Sequence, residues 1–410
     1  MPDMAGARRD LLTIFQAALT RVEGRACVRE SLRGDQGTVS LIALGKAAQS
    51  MTLGALDALG DRVLDGLVIS KAGHMDALLL NPRGLKCLEG GHPVPDERSL
   101  RAGRELAEFI RTRPKDRRLL FLISGGTSGL VELLCEGIDL ATLQRTNQWL
   151  LGSGLPIDAM NRVRKSLSQI KGGGLIPLLQ GRSAQVLLIS DVPGDEPGVI
   201  GSGLLVADGN STDRLDDLPL PDWLRTLLPP ASSPASAMVD NIQLKIVASL
   251  ADAREAAADK ARELGYSVIL NRAHLGGDVA VVGRRLAYEL GDAWSGLYIW
   301  GGEPTIRLPE QPGQGGRNQH LALVVASQIA GRQDVCFLAA GTDGGDGPGE
   351  NAGAIVDGGS VSRGSRVLGV DPQVCLVQAD SGRFLQASGD LIQTGPTGTN
   401  VMDLMIGLKC

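Results

Sequence analysis

The chain has 410 residues, a formal net charge of −5, a pI near 5.5 and a mean hydropathy of +0.04. This balance excludes the basic footprint of a nucleic-acid binder and any charge block suited to an anionic membrane surface. No apolar run approaches the ~18–20 residues of a membrane span, and only 3% aromatic residues leave few platforms for stacking bases or sugars. Length predicts two domains or three. The six cysteines are scattered without a CxxC pair, which fits reduced thiols in a cytoplasmic protein, and the four histidines lack any zinc spacing.

The first predicted element is an amphipathic helix, with Leu11, Leu12, Phe15, Ala18, Leu19 and Val22 on one face. Asp10, Gln16 and Arg21 interrupt it, so it does not read as a signal peptide. Then an arrangement recurs six times: an apolar run ends in a short loop of glycines and polar residues. The runs are Val39–Gln49, Leu64–His74, Leu119–Gly129, Val186–Asp195, Leu297–Thr305 and Val335–Gly347. Each is too short for a buried helix and too continuous for a half-exposed strand, which predicts central strands of a parallel sheet. Helical patterns alternate with them at 47–59, 96–111, 139–151 and 158–171, and the class is α/β. Residues 208–234 are rich in Pro, Asp and Ser and predict an excursion or linker with a short turn at 223–228. An Ala-rich helix over 244–264 and a strand over 266–270 are predicted next.

Ligands of open parallel sheets sit beyond the carboxyl ends of the strands, so the loops are the candidate walls of a site. Lys46 in GKAA stands near a helix start, where it is unfavourable without an anion. The loop is not a Walker A motif, since its first Gly and the Ser/Thr after Lys are missing. SGGTSG (124–129) reads as a nest of N–H donors or a tight turn. NRVRKSLSQIKGGG (161–174) reads as a basic helix, solvated or ligand-facing. Asp191 and Asp195 flank a Pro-Gly turn and suit Mg²⁺, a general base or an Asx turn. Arg317 in GGRNQ suits bidentate phosphate or carboxylate contacts. GTDGGDG (341–347) places two aspartates in a cation- or hydroxyl-binding turn, and TGPTGTN (394–400) reads as an anion nest leading into a helix.

Taken in order, LGKAA, GGHPVPDE, ISGGTSGL, NRVRKSLSQIKGGGL, SDVPGD, GGEPTI, GGRNQ, AAGTDGGDGP and TGPTGTNVMDL resemble the glycerate 2-kinase family, whose C-terminal part is called the MOFRL domain. The resemblance implies ATP- and Mg²⁺-dependent phosphorylation of D-glycerate at its 2-hydroxyl. It implies a Rossmann-like domain over 1–240, with 208–234 as excursion or linker, and a MOFRL-type α/β domain over 241–410, the site lying in the cleft between. Lys46 and Arg317 match residues the family requires for catalysis. By the same resemblance, Asp191 or Asp343 would hold Mg²⁺ or take the hydroxyl proton. Ser124, Gly125, Gly126, Thr127, Asn161, Arg164, Lys171, Glu303, Thr397, Gly398 and Asn400 would contact substrate or nucleotide. The implied partners are small molecules, with no nucleic acid or membrane, and the oligomeric state is left between monomer and homodimer. Departures from the family pattern are Thr127 for Gly, His320 for Glu, Leu204-Leu205 for Pro-Thr, and Gly345 for a larger residue. Two rivals stand beside this reading. A hydroxypyruvate reductase should carry GxGxxG after a strand, and none is found; a binding module that kept the fold would bind ligand without releasing ADP.

Overall fold

Two six-stranded sheets realise the apolar runs, and they do so differently. The computed structural model describes residues 3–207, 215–228 and 239–410. The chain divides into two compact units, one of Gly24–Val247 and the other of Met1–Glu23 with Ala248–Cys410.

Helix α1 (Met4–Arg21) is capped by Asp3, whose carboxylate accepts the Gly6 N–H. The unit that follows contains α2 (Gly24–Ser31), β1 (Val39–Leu44), α3 (Ala48–Leu59), β2 (Val63–Lys71), α4 (Ala77–Leu80), β3 (Leu85–Gly90), α5 (Glu97–Thr112), β4 (Arg118–Ile123), α6 (Thr127–Leu130), α7 (Leu140–Gly152), α8 (Ile157–Ser166), α9 (Ile176–Leu179), β5 (Ala184–Ile189), α10 (Asp222–Arg225) and β6 (Ile242–Ala248). Its strand order is β3-β2-β1-β4-β5-β6, with parallel pairing from β3 through β5. β1 is buried at every position, as the unbroken run VSLIAL requires. Helix α5 begins at a capping box between Asp96 and Ser99 and turns Ala102, Leu106 and Ile110 onto the sheet. Each such Leu or Ile contributes about 1.5–3 kcal/mol when fully buried.

The second unit joins α1 to α11 (Leu250–Glu263), β7 (Val268–Leu275), α12 (Val279–Asp292), β8 (Gly296–Gly302), α13 (Arg317–Gln328), β9 (Val335–Gly341), β10 (Gly353–Asp357), α14 (Ser360–Leu368), α15 (Pro372–Val377), α16 (Ser381–Ser388), β11 (Leu391–Ile392) and β12 (Asp403–Lys409). Its strand order is β11-β10-β9-β12-β8-β7. β12 pairs antiparallel with both β8 and β9, so this sheet is mixed and the parallel expectation fails here. The insertion has a consequence for chemistry. The first residue of β12, Asp403, lies opposite Gly302 at the end of β8 and opposite Gly341 at the end of β9.

Other differences have local causes. Residues 242–248 form β6 rather than the start of a helix, because Ile242, Ile246 and Val247 suit a strand and the Ser249–Asp252 capping box starts the helix at Leu250. The basic helix stops at Ser166, so Ser168 and Lys171 lie in the turn beyond it. TGPTGTN leads into strand β12, not a helix. Residues 208–214 and 229–234 of the expected excursion lie outside the described residues. Its middle packs Leu218, Leu220 and Leu224 against Leu143, Leu150, Val163 and Leu167 of the α7–α8 region. The first helix belongs with the C-terminal unit rather than with residues 24–240, where the sequence reading places it. Arg8 bridges Asp357 and Asp390 at 2.6 and 2.8 Å, and the Tyr266 hydroxyl donates to Asp10 at 2.6 Å.

Candidate active site

In the parallel sheet the strand order reverses between β1 and β4, the switch point at which open α/β sheets bind ligands. The loops leaving these two strands interlock. The Lys46 N–H donates to the Gly125 carbonyl at 2.9 Å, and the Ala47 N–H to Ser124 Oγ at 3.1 Å. Gly45 has φ +115°, and a Cβ there would stand 2.3 Å from Ser124 Oγ, so only glycine lets the loops meet. A Cβ on Gly126 would lie 3.3 Å from Lys46 Cγ and 3.1 Å from the His92 ring, which places all three residues around one point. His92 comes from the GGHPVPDE string, in which residue type and spacing alone do not mark it as a site residue.

The nest divides its labour. Ser124 is buried, its N–H donates to the Leu44 carbonyl, and its hydroxyl serves the loop. Thr127 is also buried, and its hydroxyl donates to the Ser124 carbonyl at 2.7 Å. The threonine that replaces the family glycine therefore ties the turn down. The N–H groups of Gly125, Gly126 and Thr127 take no acceptor among the described residues, and Gly126 is left-handed with φ +86°. They retain the donor character of an anion nest. Ser128 Oγ meets Ser202 Oγ at 2.7 Å, fastening the 200–203 turn over α6, while Leu204 and Leu205 point into the core. Asp191 lies just beyond the end of β5 and is half-buried.

Among the basic residues of the third motif, Lys171 is not open to a ligand in the way the sequence suggests. It is buried, and its Nζ pairs at 2.6 Å with the fully buried Glu132, which also accepts the Ser168 hydroxyl at 2.5 Å. The pair fixes the glycine turn, whose Gly172 and Gly173 N–H groups donate to Ser202 and Gly203. Arg164 is different. Its Nε donates to Asn147 Oδ1 at 3.0 Å and its Nη1 to Asn161 Oδ1 at 3.1 Å; among the described residues no carboxylate pairs with it. Burial alone pulls its pKa down, the condition of a cation that lacks a counter-charge.

At the edge of the mixed sheet, Arg317 opens α13. Its Nε and Nη2 donate to the two oxygens of Asp403 at 2.6 and 3.0 Å, and its Nη1 lies 2.7 Å from Glu303 Oε1. Asp403 is 1% exposed. Burial works against the guanidinium charge, but Asp403 and then Glu303 outweigh it and hold its pKa above the usual arginine range. Asp343 accepts the Gly345 N–H at 2.9 Å in an Asx turn. A Cβ on Gly341 would lie 3.3 Å from Asp343 Oδ1 and 3.5 Å from Asp403 Oδ1, so both carboxylates approach the end of β9. The 394–402 segment packs on this loop: Thr397 Oγ1 donates to the Thr342 carbonyl at 2.5 Å, and Gly398 is left-handed. Thr399 Oγ1 is buried with no hydrogen-bond partner among the described residues, and Asn400 is buried beside it. His320 points elsewhere, into the helix packing, where Nδ1 meets Ser381 Oγ at 3.1 Å and burial lowers its pKa. Asp403 was missed by sequence reasoning; it sits at the start of a strand in NVMDL, and nothing in that string announces a partner 86 residues away.

Comparison with known proteins bears on these loops. Residues 10–218 match a family described as a domain of unknown function, DUF4147, and residues 296–403 match the MOFRL family. D-glycerate 2-kinase of Thermotoga maritima is 33% identical over 100% of both chains. The chain belongs to the glycerate 2-kinase family. A crystal structure of glycerate kinase from Thermotoga maritima superposes with a TM-score of 0.84 at 32% identity, covering 98% of this chain and 99% of that one. A family relative from Agrobacterium vitis, 34% identical over 97% of this chain and 93% of its own, carries the name hydroxypyruvate reductase. The β1 loop argues against nicotinamide chemistry here. The positions at which a dinucleotide fingerprint starting at Gly45 needs further glycines hold Ala47 and Ser50. The family makes this chain a kinase.

Proposed function

We propose that the chain transfers the γ-phosphoryl group of ATP to the 2-hydroxyl of D-glycerate, giving 2-phospho-D-glycerate and ADP. The observation that carries this reading is the clamped Arg317, a cation fixed on two carboxylates with three of its five donors engaged. Phosphoryl transfer depends on such fixed charge, because its transition state spreads charge over equatorial oxygens. Arg317 and Lys46 supply positive charge to the γ-phosphoryl oxygens and the glycerate carboxylate. The N–H groups of Gly125, Gly126 and Thr127, with Arg164 and Asn161, supply further anion contacts. Thr397, Gly398 and Asn400 line the loop beside Asp343. The 2-hydroxyl oxygen bonds to the γ-phosphorus as the bridging P–O bond to ADP breaks, and the hydroxyl proton passes to the Asp191 carboxylate.

The donor set around Arg317 bears on Mg²⁺. Glu303, Asp343 and Asp403 outnumber the one guanidinium, so an unaccompanied phosphate would be repelled. Among the described residues no group of three His, Cys, Asp or Glu is disposed to hold a metal ion. Asp343, the half-buried carboxylate of this set, would hold a divalent cation brought in by the nucleotide. Bound there, it would neutralise phosphate charge.

A coupled ADP-release assay with ATP and Mg²⁺ over small hydroxy acids tests the reading, with D-glycerate expected to give the highest kcat/KM. Phosphorus NMR of the product should show 2-phosphoglycerate. A 3-phosphoglycerate signal, or NADH oxidation with hydroxypyruvate, would overturn it.

A further inference from the structure

GTDGGDG offers two aspartates, and the structure gives them different work. Asp343 is half-buried and holds its own Asx turn. Asp346 is 3% exposed and reaches across to the start of α13. Its Oδ1 accepts the Asn318 N–H at 2.9 Å, and its Oδ2 accepts the Gln319 N–H at 2.8 Å and Gln319 Nε2 at 2.9 Å. Gly316, the residue in the N-cap position, offers no side chain, so Asp346 caps the helix from another loop. The fit is tight. A Cβ on Gly316 would stand 2.3 Å from the Asp346 carbonyl carbon, and one on Gly347 would stand 2.4 Å from the Gly315 oxygen. The helix start is thus filled by a protein carboxylate, and Arg317 is the residue between the glycine interlock and the two capped N–H groups.

We infer that Asp346 is a positioning residue for Arg317: by capping α13 in trans it fixes the backbone from which the guanidinium reaches Asp403 and Glu303. The kinetic part of the inference rests on the proposed phosphoryl transfer; the geometric part does not. It separates the roles of the two aspartates, with Asp343 left to the ligand side and Asp346 acting through Arg317.

The test uses the full chain. Asp346→Asn is expected to lower kcat by about tenfold to thirtyfold, with the Mg²⁺ half-saturation unchanged. Amide exchange at Asn318 and Gln319 should accelerate, and phenylglyoxal should modify Arg317 faster, as read by mass spectrometry. In an Arg317→Ala background, Asp346→Asn should cost no more than about twofold further, because the two act as one unit. Gln319→Leu removes only the side-chain part of the clamp and should give a smaller loss of the same kind, which keeps the test open if Asp346→Asn fails to fold. An unchanged kcat despite accelerated exchange, a loss that adds fully to that of Arg317→Ala, or a tenfold rise in the Mg²⁺ requirement would each overturn the inference. If wild-type protein does not phosphorylate glycerate, the functional reading fails, while amide exchange and arginine modification still decide the positioning.

Discussion

The two sheet edges are built from different materials. At the parallel sheet, candidate ligand contacts are main-chain N–H groups of Gly125–Thr127 beside Lys46, in a turn that only glycine at 45 permits. At the mixed sheet, they are charged side chains: Arg317 held by Asp403 and Glu303. A backbone nest is specified locally by a short string. A side-chain clamp is specified by strand order, because Asp403 reaches Arg317 only after β12 has inserted between β8 and β9. The difference teaches that substitutions at the first edge should alter geometry, while those at the second should alter charge balance.

The largest effect expected is at the clamp. Arg317→Ala should reduce kcat by about 10³-fold, the scale of a lost charge-stabilising group. Steady-state ADP release checks it, and a loss below tenfold would remove Arg317 from the chemistry. A stability effect comes next, at the first edge. Lys171→Met leaves Glu132 buried without its partner and should destabilise by about 3 kcal/mol in urea unfolding, whereas Lys171→Met with Glu132→Leu should recover most of it. If the single variant is as stable as wild type and loses substrate affinity, Lys171 is a ligand after all. Lys46→Ala should lower kcat by about 10²-fold with an unchanged unfolding midpoint, which would separate it from the structural Lys171.

The smallest effect is a pH limb. Burial, with the nearby Asp403 charge, pushes the Asp346 carboxyl up to about 6, against the pull of its N–H donors. Between its unfolded value near 3.8 and about 6 the folded protein binds more protons than the unfolded chain at this group. Its contribution to stability therefore falls as pH rises through that window and stays reduced above it. The expected size is on the order of 2 kcal/mol, measured as unfolding free energy from pH 4 to 7. The same limb should be missing in Asp346→Asn; its persistence there would assign it to another acid.

Much of the first unit was legible. Four apolar runs mark β1, β2, β4 and β5, and the helices expected at 47–59, 96–111 and 139–151 are those seen, because each βα unit is a contiguous stretch whose periodicity survives folding. Lys46 and the glycine turns were legible as loop residues at strand ends, and Arg317 as a residue at a helix start. The buried Lys171–Glu132 pair was not, because a basic helix and a basic turn read alike until burial is known. The roles of the two departures Thr127 and His320 were not legible either: the first bonds the Ser124 carbonyl and the second packs on Ser381.

The sequence by itself determined the α/β class, the positions of β1, β2, β4, β5, β8 and β9, and the family, since these follow from local periodicity and from strings that stay contiguous. Tertiary structure alone decided that β12 runs antiparallel between β8 and β9, that α1 joins the C-terminal unit, and that Asp403 and Asp346 hold Arg317 and its helix. The physical reason is range. Main-chain propensity acts over a few residues, whereas a buried carboxylate finds its partner only once distant strands have paired and excluded water.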